Sequence, residues 1–330
     1  MIIIEASHIY YGGGFSLLLE LIKYLSKEKQ PYKLYIAHKV IYNELKKNTN
    51  PYMTLVLTNT WDTLLRYSTK RSNVIFFLNL PPFVKNTKSV VYFHNELILE
   101  DKFFRLKNVK LFIYCKWLKW FNNKVDTIAC QTENIAVGLK QIGVKHINKL
   151  PFFDDVYSNN SISKKYTFCY VCSGALHKNV ERLFEAIDQI KDKYSISLAV
   201  TIENTNVNES LLKKIENINR NAGRNVIINL GLVSKTEVMK IYQASEALVF
   251  PSLKESLGLP LIEANMCGIK VLSSDLLYSY EVLSSPIVFN PYESKEIAKT
   301  LESFLNGKYN DVVQKVRIKN KIEELINLVI

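Results

Sequence analysis

Glu255 and Glu263 stand eight positions apart in the run KESLGLPLIEANMCG, residues 254–268, and what lies between them suits one ligand chemistry. Gly258 permits a close backbone approach, Pro260 suits the first position of a helix, and Gly268 suits its left-handed C-terminal end. The first amides of such a helix lack intrahelical partners and lie at the positive end of its dipole, so they can seat a phosphate. A carboxylate accepts hydrogen bonds from hydroxyl groups. Two acceptors flanking an amide cradle therefore match a ligand that is anionic in its middle and polyhydroxylic at both ends, which is a nucleotide diphosphosugar.

Two further blocks carry groups of the same kind. SGALHKNVERLFEAI, residues 173–187, begins at Ser173 after an apolar run and offers Lys178 as a cation for a diphosphate, where its charge would stabilise a departing nucleotide. His177 suits positioning of that loop better than proton transfer. Near the N-terminus, Gly12, Gly13 and Gly14 precede an amphipathic stretch and allow a backbone to approach an anion, although GGGFS lacks the spacing of a dinucleotide fingerprint and also reads as a flexible turn. His94, ending the strand-like SVVYFHN, could hydrogen-bond a sugar or sit satisfied in a core. Asp154 and Asp155 are the paired aspartates, and no DxD sequence occurs, so no metal or other cofactor is expected.

The ESLGLPLIEA block with its preceding FPS closely resembles retaining glycosyltransferases of family 4, whose E-x7-E pattern Glu255 and Glu263 reproduce. The resemblance implies a GT-B fold: two Rossmann-like, doubly wound α/β domains facing a central cleft. It assigns Glu255 to the transferred sugar, the amides of Leu257, Gly258 and Leu259 to the diphosphate, and Glu263 to the nucleotide ribose. It likewise places Ser173 and Lys178 at the donor phosphate, Gly12 to Gly14 facing that phosphate, and His94 at the cleft. Many members carry an arginine just after the loop glycine, where this chain has Ala175.

These groups need a scaffold. The chain has 330 residues, 48% of them hydrophobic, enough for two α/β domains. Apolar β-branched runs at 2–6, 33–38, 73–79, 89–95 and 126–132, then at 166–174, 195–202, 225–231, 246–252 and 269–274, alternate with helical patterns. That alternation predicts two parallel sheets covered on both faces, with ligands beyond the carboxyl ends of the strands. The polar, turn-rich stretch 151–166 reads as a linker, giving domains 1–160 and 161–310, with a helix over about 311–330 packing back on the first. Ser234 and Glu237 have capping-box spacing. Cys169 and Cys172 form a lone CxxC inside an apolar run and read as buried thiols rather than a redox or metal site.

The net charge is +12, and residues 1–163 carry most of it, with 22 Lys+Arg against 12 Asp+Glu. The segment DKFFRLKNVKLFIYCKWLKWFNNK, residues 101–124, concentrates it among aromatics. Drawn as one helix, it gathers Lys102, Arg105, Lys116, Lys119 and Lys124 within roughly 140°, with Trp120 inside that arc and Trp117 beside it. Such interleaving suits a helix lying in lipid headgroups, and equally a core helix with solvated lysines. The expected partners are a nucleotide-sugar donor, a lipid-linked saccharide acceptor and an anionic inner-membrane surface, with no nucleic acid, because no recognisable nucleic-acid module accompanies the basic segment. With no apolar run long enough to span a bilayer, the expected location is cytoplasmic and peripheral. The competing readings are a catalytically silent binding subunit with the same fold and a nucleotide-dependent oxidoreductase.

Overall fold

The protein is described by a computed structural model over residues 1–10, 12–99, 109–154 and 162–330. It divides into two compact units, Met1–Asp155 with Lys319–Ile330, and Val156–Ile318.

The first unit runs β1 (Ile2–Glu5), α1 (Gly13–Lys27), β2 (Tyr32–Ile36), α2 (Lys39–Lys47), β3 (Met53–Leu57), α3 (Thr60–Tyr67), β4 (Ser72–Phe76), β5 (Thr87–Phe93), α4 (Val109–Phe121), β6 (Thr127–Cys130), α5 (Glu133–Gln141) and β7 (Ile147–Lys149). Among the described residues its strands form one parallel sheet in the order β3-β2-β1-β4-β5-β6-β7. Helices cover both faces of a parallel sheet, so a central strand is buried on both sides and reads as a continuous apolar run. Val90, Val91, Tyr92 and Phe93 of β5 are accordingly all fully buried. On one face, Tyr67 of α3, Leu111, Cys115 and Leu118 of α4, and Ile135 and Leu139 of α5 pack with Val74, Val91 and Ile128 of the sheet.

The second unit repeats the plan with β8 (Tyr166–Tyr170), α6 (Val180–Ile190), β9 (Leu198–Val200), α7 (Glu209–Ala222), β10 (Ile227–Asn229), α8 (Lys235–Gln243), β11 (Ser245–Phe250), α9 (Leu259–Met266), β12 (Lys270–Ser274), α10 (Leu277–Val282), β13 (Leu283–Ser284), β14 (Ile287–Phe289), α11 (Ser294–Leu305) and β15 (Lys315–Val316). Its parallel sheet has the order β10-β9-β8-β11-β12-β14, and β13 pairs antiparallel with β15. In both sheets the direction of winding reverses beside the first strand, between β1 and β4 and between β8 and β11, which is where doubly wound sheets open a crevice.

Besides the two-residue β13 and β15, three strands, β3, β7 and β14, have no counterpart among the runs read from sequence. All three are edge strands. Exposure breaks the apolar pattern of two of them, since none of the five residues of β3 is fully buried and Asn148 and Lys149 of β7 are exposed, whereas β14 is apolar but only three residues long. The helix expected over 311–330 is also corrected. Gln314 spends its side chain on the backbone of Val271, accepting at 2.8 Å and donating at 2.9 Å, and Lys315–Val316 pairs as β15, so only α12 (Ile322–Asn327) is helical. Backbone pairing and side-chain bonds to the neighbouring strand override helical propensity there. The linker expected over 151–166 starts too early. Pro151, Phe152 and Phe153 are buried in the first unit, where the backbone of Lys321 donates to Pro151 and the side chain of Asn320 to Phe153. Residues 155–161, which hold the expected boundary between 160 and 161, lie outside the described residues.

Candidate active site

At the carboxyl end of β8 the chain turns through Ser173 and Gly174 into a short 3-10 turn, Leu176–Lys178, before α6. Gly174 is required by space: a Cβ there would lie 1.9 Å from Oδ1 of Asn208. Asn179 holds the turn in place. It adopts the left-handed conformation, is buried, and donates from Nδ2 to the carbonyls of Pro251 and Pro291. The Tyr170 hydroxyl donates to the carbonyl of Lys178 at 2.8 Å, and the amide of Leu253 to that of His177 at 2.8 Å. His177 thus positions this loop through its backbone. The loops after β8 and β11 are stitched together, and the result is one specific contact: Lys178 Nζ lies 2.6 Å from Glu255 Oε1 and 5.7 Å from the centre of the Phe250 ring. Both side chains keep a fraction of their surface open, 18% for Lys178 and 12% for Glu255.

Beyond Glu255 the chain enters α9. Gly258 caps its start at φ 80°, a left-handed conformation that a side chain would strain, and Pro260 lies in the first turn, as the sequence predicts. Leu257 is buried, so it anchors the loop through its side chain and could meet a ligand only through its backbone; Leu259 opens the helix. Glu263 sits one turn in and is only 6% exposed. Burying a carboxylate is costly unless it is paired and hydrogen-bonded. Here α8 supplies both partners: Lys235 Nζ binds Glu263 Oε1, and the Tyr242 hydroxyl donates to Oε2 at 3.3 Å. Burial, reinforced by the charge of Glu263, pushes the Tyr242 phenol well above its ordinary pKa, so it stays protonated and remains a donor. The capping box read at Ser234 and Glu237 is present and sets the start of α8, one residue before Lys235. Neither Lys235 nor Tyr242 was singled out in the sequence. The one clue was the position of Lys235 directly after a capping serine.

Cys169 and Cys172 are both buried free thiols, and burial raises their pKa values. It pushes the Cys172 thiol up to about 12, partly offset by the nearby Lys178, and the Cys169 thiol up to about 12. Both stay protonated.

In the first unit Gly12 caps α1 at φ 121°, Gly13 faces open space, and Gly14 packs against a specific side chain. A Cβ on Gly14 would lie 2.9 Å from Nε2 of His94. The structure therefore joins two features that the sequence offered separately. His94 follows β5, its amide donates to Asn79 Oδ1 at 2.6 Å, and its ring lies 5.1 Å from that of Phe77. Burial pushes its pKa down to about 4, leaving a neutral imidazole at pH 7.

A third ion pair, at the end of β1, has no counterpart among the residues singled out in the sequence. Glu5 is fully buried, and Arg66 of α3 grips it with a fork, Nε to Oε2 at 2.6 Å and Nη2 to Oε1 at 3.0 Å. Arg66 also donates to Thr58, Thr63 and Ser7, and its guanidinium lies 4.1 Å over the Tyr35 ring.

Of the basic aromatic segment, Arg105 and the rest of 100–108 lie outside the described residues, and α4 ends at Phe121. Lys116, Lys119 and Trp120 are exposed, Trp120 to 67%. Val109 and Ile113 share that exposed side. Trp117 does not belong with them. Its Nε1 donates to the carbonyl of Pro81 at 2.8 Å and its ring stacks on Phe83 with centres 4.7 Å apart, because a half-buried indole needs both an apolar wall and an acceptor.

Residues 154–323 match the profile of the family described as Glycosyl transferases group 1. The chain belongs to that family. Among curated proteins, the serotype-specific mannosyltransferase WbdA of Escherichia coli is 29% identical over 133 residues, which is 39% of this chain and 16% of that one. The O-antigen chain mannosyltransferase RfbU of Salmonella typhimurium is 23% identical over 205 residues, 62% of this chain and 55% of that one. The matches thus span less than two thirds of either relative. Among solved structures, that of Anabaena HepE in complex with UDP and glucose superposes with a TM-score of 0.70 at 12% identity, covering 99% of this chain and 93% of that one. The fold of the chain is GT-B, with two Rossmann-like α/β domains.

Proposed function

We propose that this chain is a retaining, metal-independent glycosyltransferase of family 4 that moves a sugar from a nucleotide diphosphosugar to an acceptor hydroxyl. The observation that carries the reading is the Lys178–Glu255 pair, held at the carboxyl ends of β8 and β11 beside the first turn of α9. The donor diphosphate displaces Glu255 from Lys178 and takes the cation and the amides of Leu257, Gly258 and Leu259, with Ser173 alongside. Glu255 is freed to accept from the hydroxyls of the transferred sugar, and Glu263 holds the ribose. The acceptor oxygen bonds to the anomeric carbon on the face from which the diphosphate leaves; the acceptor proton passes to a diphosphate oxygen. Lys178 and the helix dipole stabilise the charge that develops on the leaving group. In the first unit, Gly13 offers open backbone at the start of α1, and Gly14 lies against the neutral imidazole of His94.

A thermal-shift screen of UDP-sugars, GDP-sugars and NAD(P) tests this directly, because a ligand that binds only the folded state raises the melting temperature. Stabilisation by NAD(P) alone would favour an oxidoreductase. Hydrolysis of a nucleotide sugar that is lost in Glu255→Ala would exclude a silent binding subunit, and transfer abolished by EDTA would remove the metal-independent mechanism.

The acceptor we propose is a lipid-linked saccharide in surface-polysaccharide assembly, met at an anionic membrane from the cytoplasmic side. The names of the two relatives support the polysaccharide part. The membrane part is supported by the exposed side of α4, where Val109, Ile113 and Trp120 lie among Lys110, Lys116 and Lys119. Among the described residues no helix is long and apolar enough to cross a membrane. Each lysine near an anionic surface contributes on the order of 1 kcal/mol. Lys116→Glu with Lys119→Glu should therefore weaken binding to phosphatidylserine-containing liposomes by more than about tenfold, and unchanged binding removes the membrane from the reading.

A further inference from the structure

Glu263 gives the ribose side of the proposed donor site its acceptor, yet a sugar hydroxyl is both a donor and an acceptor. A carboxylate answers only half of it. The missing half is present in the same place. Lys235 is the first residue of α8, its backbone set by the Ser234–Glu237 capping box, and its Nζ binds Glu263 Oε1. An ammonium carries three N–H donors, and the side chain of Lys235 is 41% exposed whereas that of Glu263 is 8% exposed. The cation therefore has donors left for a ligand at the mouth of the buried carboxylate.

The geometry around the carboxylate supports a binding role. Tyr242, also on α8, fixes Oε2 from inside the protein, so Glu263 is held from both oxygens by one helix. A carboxylate fixed in this way loses little further freedom when a ligand arrives, the condition under which a hydrogen bond contributes most to affinity. A purely structural pair needs no open cation; the Arg66 fork on Glu5, which seals both oxygens without leaving the core, shows the alternative within the same chain.

We propose that Lys235 and Glu263 together form a clamp for the vicinal diol of the donor nucleoside, with the carboxylate accepting from one hydroxyl and the ammonium donating to an oxygen of the same diol, so that Lys235 determines selectivity for a ribonucleotide over a deoxyribonucleotide. This inference rests on the nucleotide-sugar reading above and concerns a residue which that reading does not use. Replacing the lysine removes one of two contacts to the diol, leaves Glu263 its bond from Tyr242, and leaves the proposed phosphate contacts of Lys178 and the α9 amides alone.

The test is a chemical cycle by isothermal titration calorimetry. Wild-type protein and Lys235→Met are each titrated with UDP and GDP and with the 2′-deoxy and 3′-deoxy forms of whichever nucleotide binds. We expect the wild type to prefer the ribonucleotide over at least one deoxy form by tenfold or more. Lys235→Met should lose about tenfold in ribonucleotide affinity while its affinity for that deoxy form stays within about twofold. Lys235→Arg, which keeps the charge and the donors, should recover part of the preference. An equal loss for ribo and deoxy ligands in Lys235→Met, or a wild type with no ribose preference, overturns the clamp and leaves the donor reading standing. Failure of the wild type to bind either nucleotide at millimolar concentration overturns the donor reading and the clamp together.

Discussion

Each unit places a carboxylate and a cation at the carboxyl end of its sheet, and the two arrangements differ in how completely they are closed. In the first unit Glu5 is wholly buried, both oxygens are taken by Arg66, and the remaining guanidinium donors go to Thr58, Thr63 and Ser7. In the second unit Lys178 meets Glu255 through one oxygen, and part of each side chain faces outward. The same kinds of charge are closed off in one place and left partly open in the other. A sealed network can stabilise one arrangement of strands, whereas an open pair leaves both partners able to exchange each other for a ligand. Burial and the number of remaining hydrogen-bond sites separate the two arrangements more clearly than residue type does.

The largest expected effect probes the sealed side. Arg66→Ala strips the fork from buried Glu5, leaving it only the Ser7 hydroxyl and Arg71, whose Nη1 lies 3.9 Å from Oε2, and should destabilise the chain by about 3–5 kcal/mol in urea unfolding. Lys178→Ala should cost no more than about 2 kcal/mol, the range of a hydrogen bond to a charged group. Equal losses would erase the distinction. On the open side the expected effect is on chemistry: Glu255→Ala and Lys178→Ala should each slow transfer by about 10²–10³-fold with unchanged circular dichroism, the scale seen when a group stabilising developing charge is removed. Full activity in both would make that pair structural too.

Two smaller effects sharpen the description of the first unit. Gly14→Ala pushes a methyl group to within 2.9 Å of His94 and should cost about 1–3 kcal/mol as overpacking. Gly13→Ala, with nothing within 4 Å and an ordinary φ, should be neutral or stabilising by about 0.5–1 kcal/mol. The last is a pH effect. The unfolded chain protonates His94 near pH 6.5 and the folded chain only near 4. Between those values the unfolded state binds more protons, so stability falls as pH is lowered through that window. Melting temperatures of wild type and His94→Gln between pH 7 and 4 should therefore converge as the pH drops, and parallel curves would place His94 in a solvated site.

The central strands, the start and stop of α9 and the α8 capping box were readable because each is written in neighbouring residues: a buried strand must be apolar on both faces, and a cap is a matter of one or two positions. The carboxylates Glu255 and Glu263 were readable for the same reason, since they flank one loop and one helix. The edge strands β3 and β7 were not, because partial exposure relaxes the composition that would announce them, and β14, though apolar, is only three residues long. Only the folded chain decided which cation meets which carboxylate. Lys178 is 77 positions from Glu255, Arg66 is 61 from Glu5 and Lys235 is 28 from Glu263. Those meetings depend on strand order, with β8 beside β11 and β1 beside β4, and no local pattern encodes it. The inward turn of Trp117 has the same origin: a helical wheel shows which residues share a side, and the wall of Phe83 and Pro81 determines which side is core.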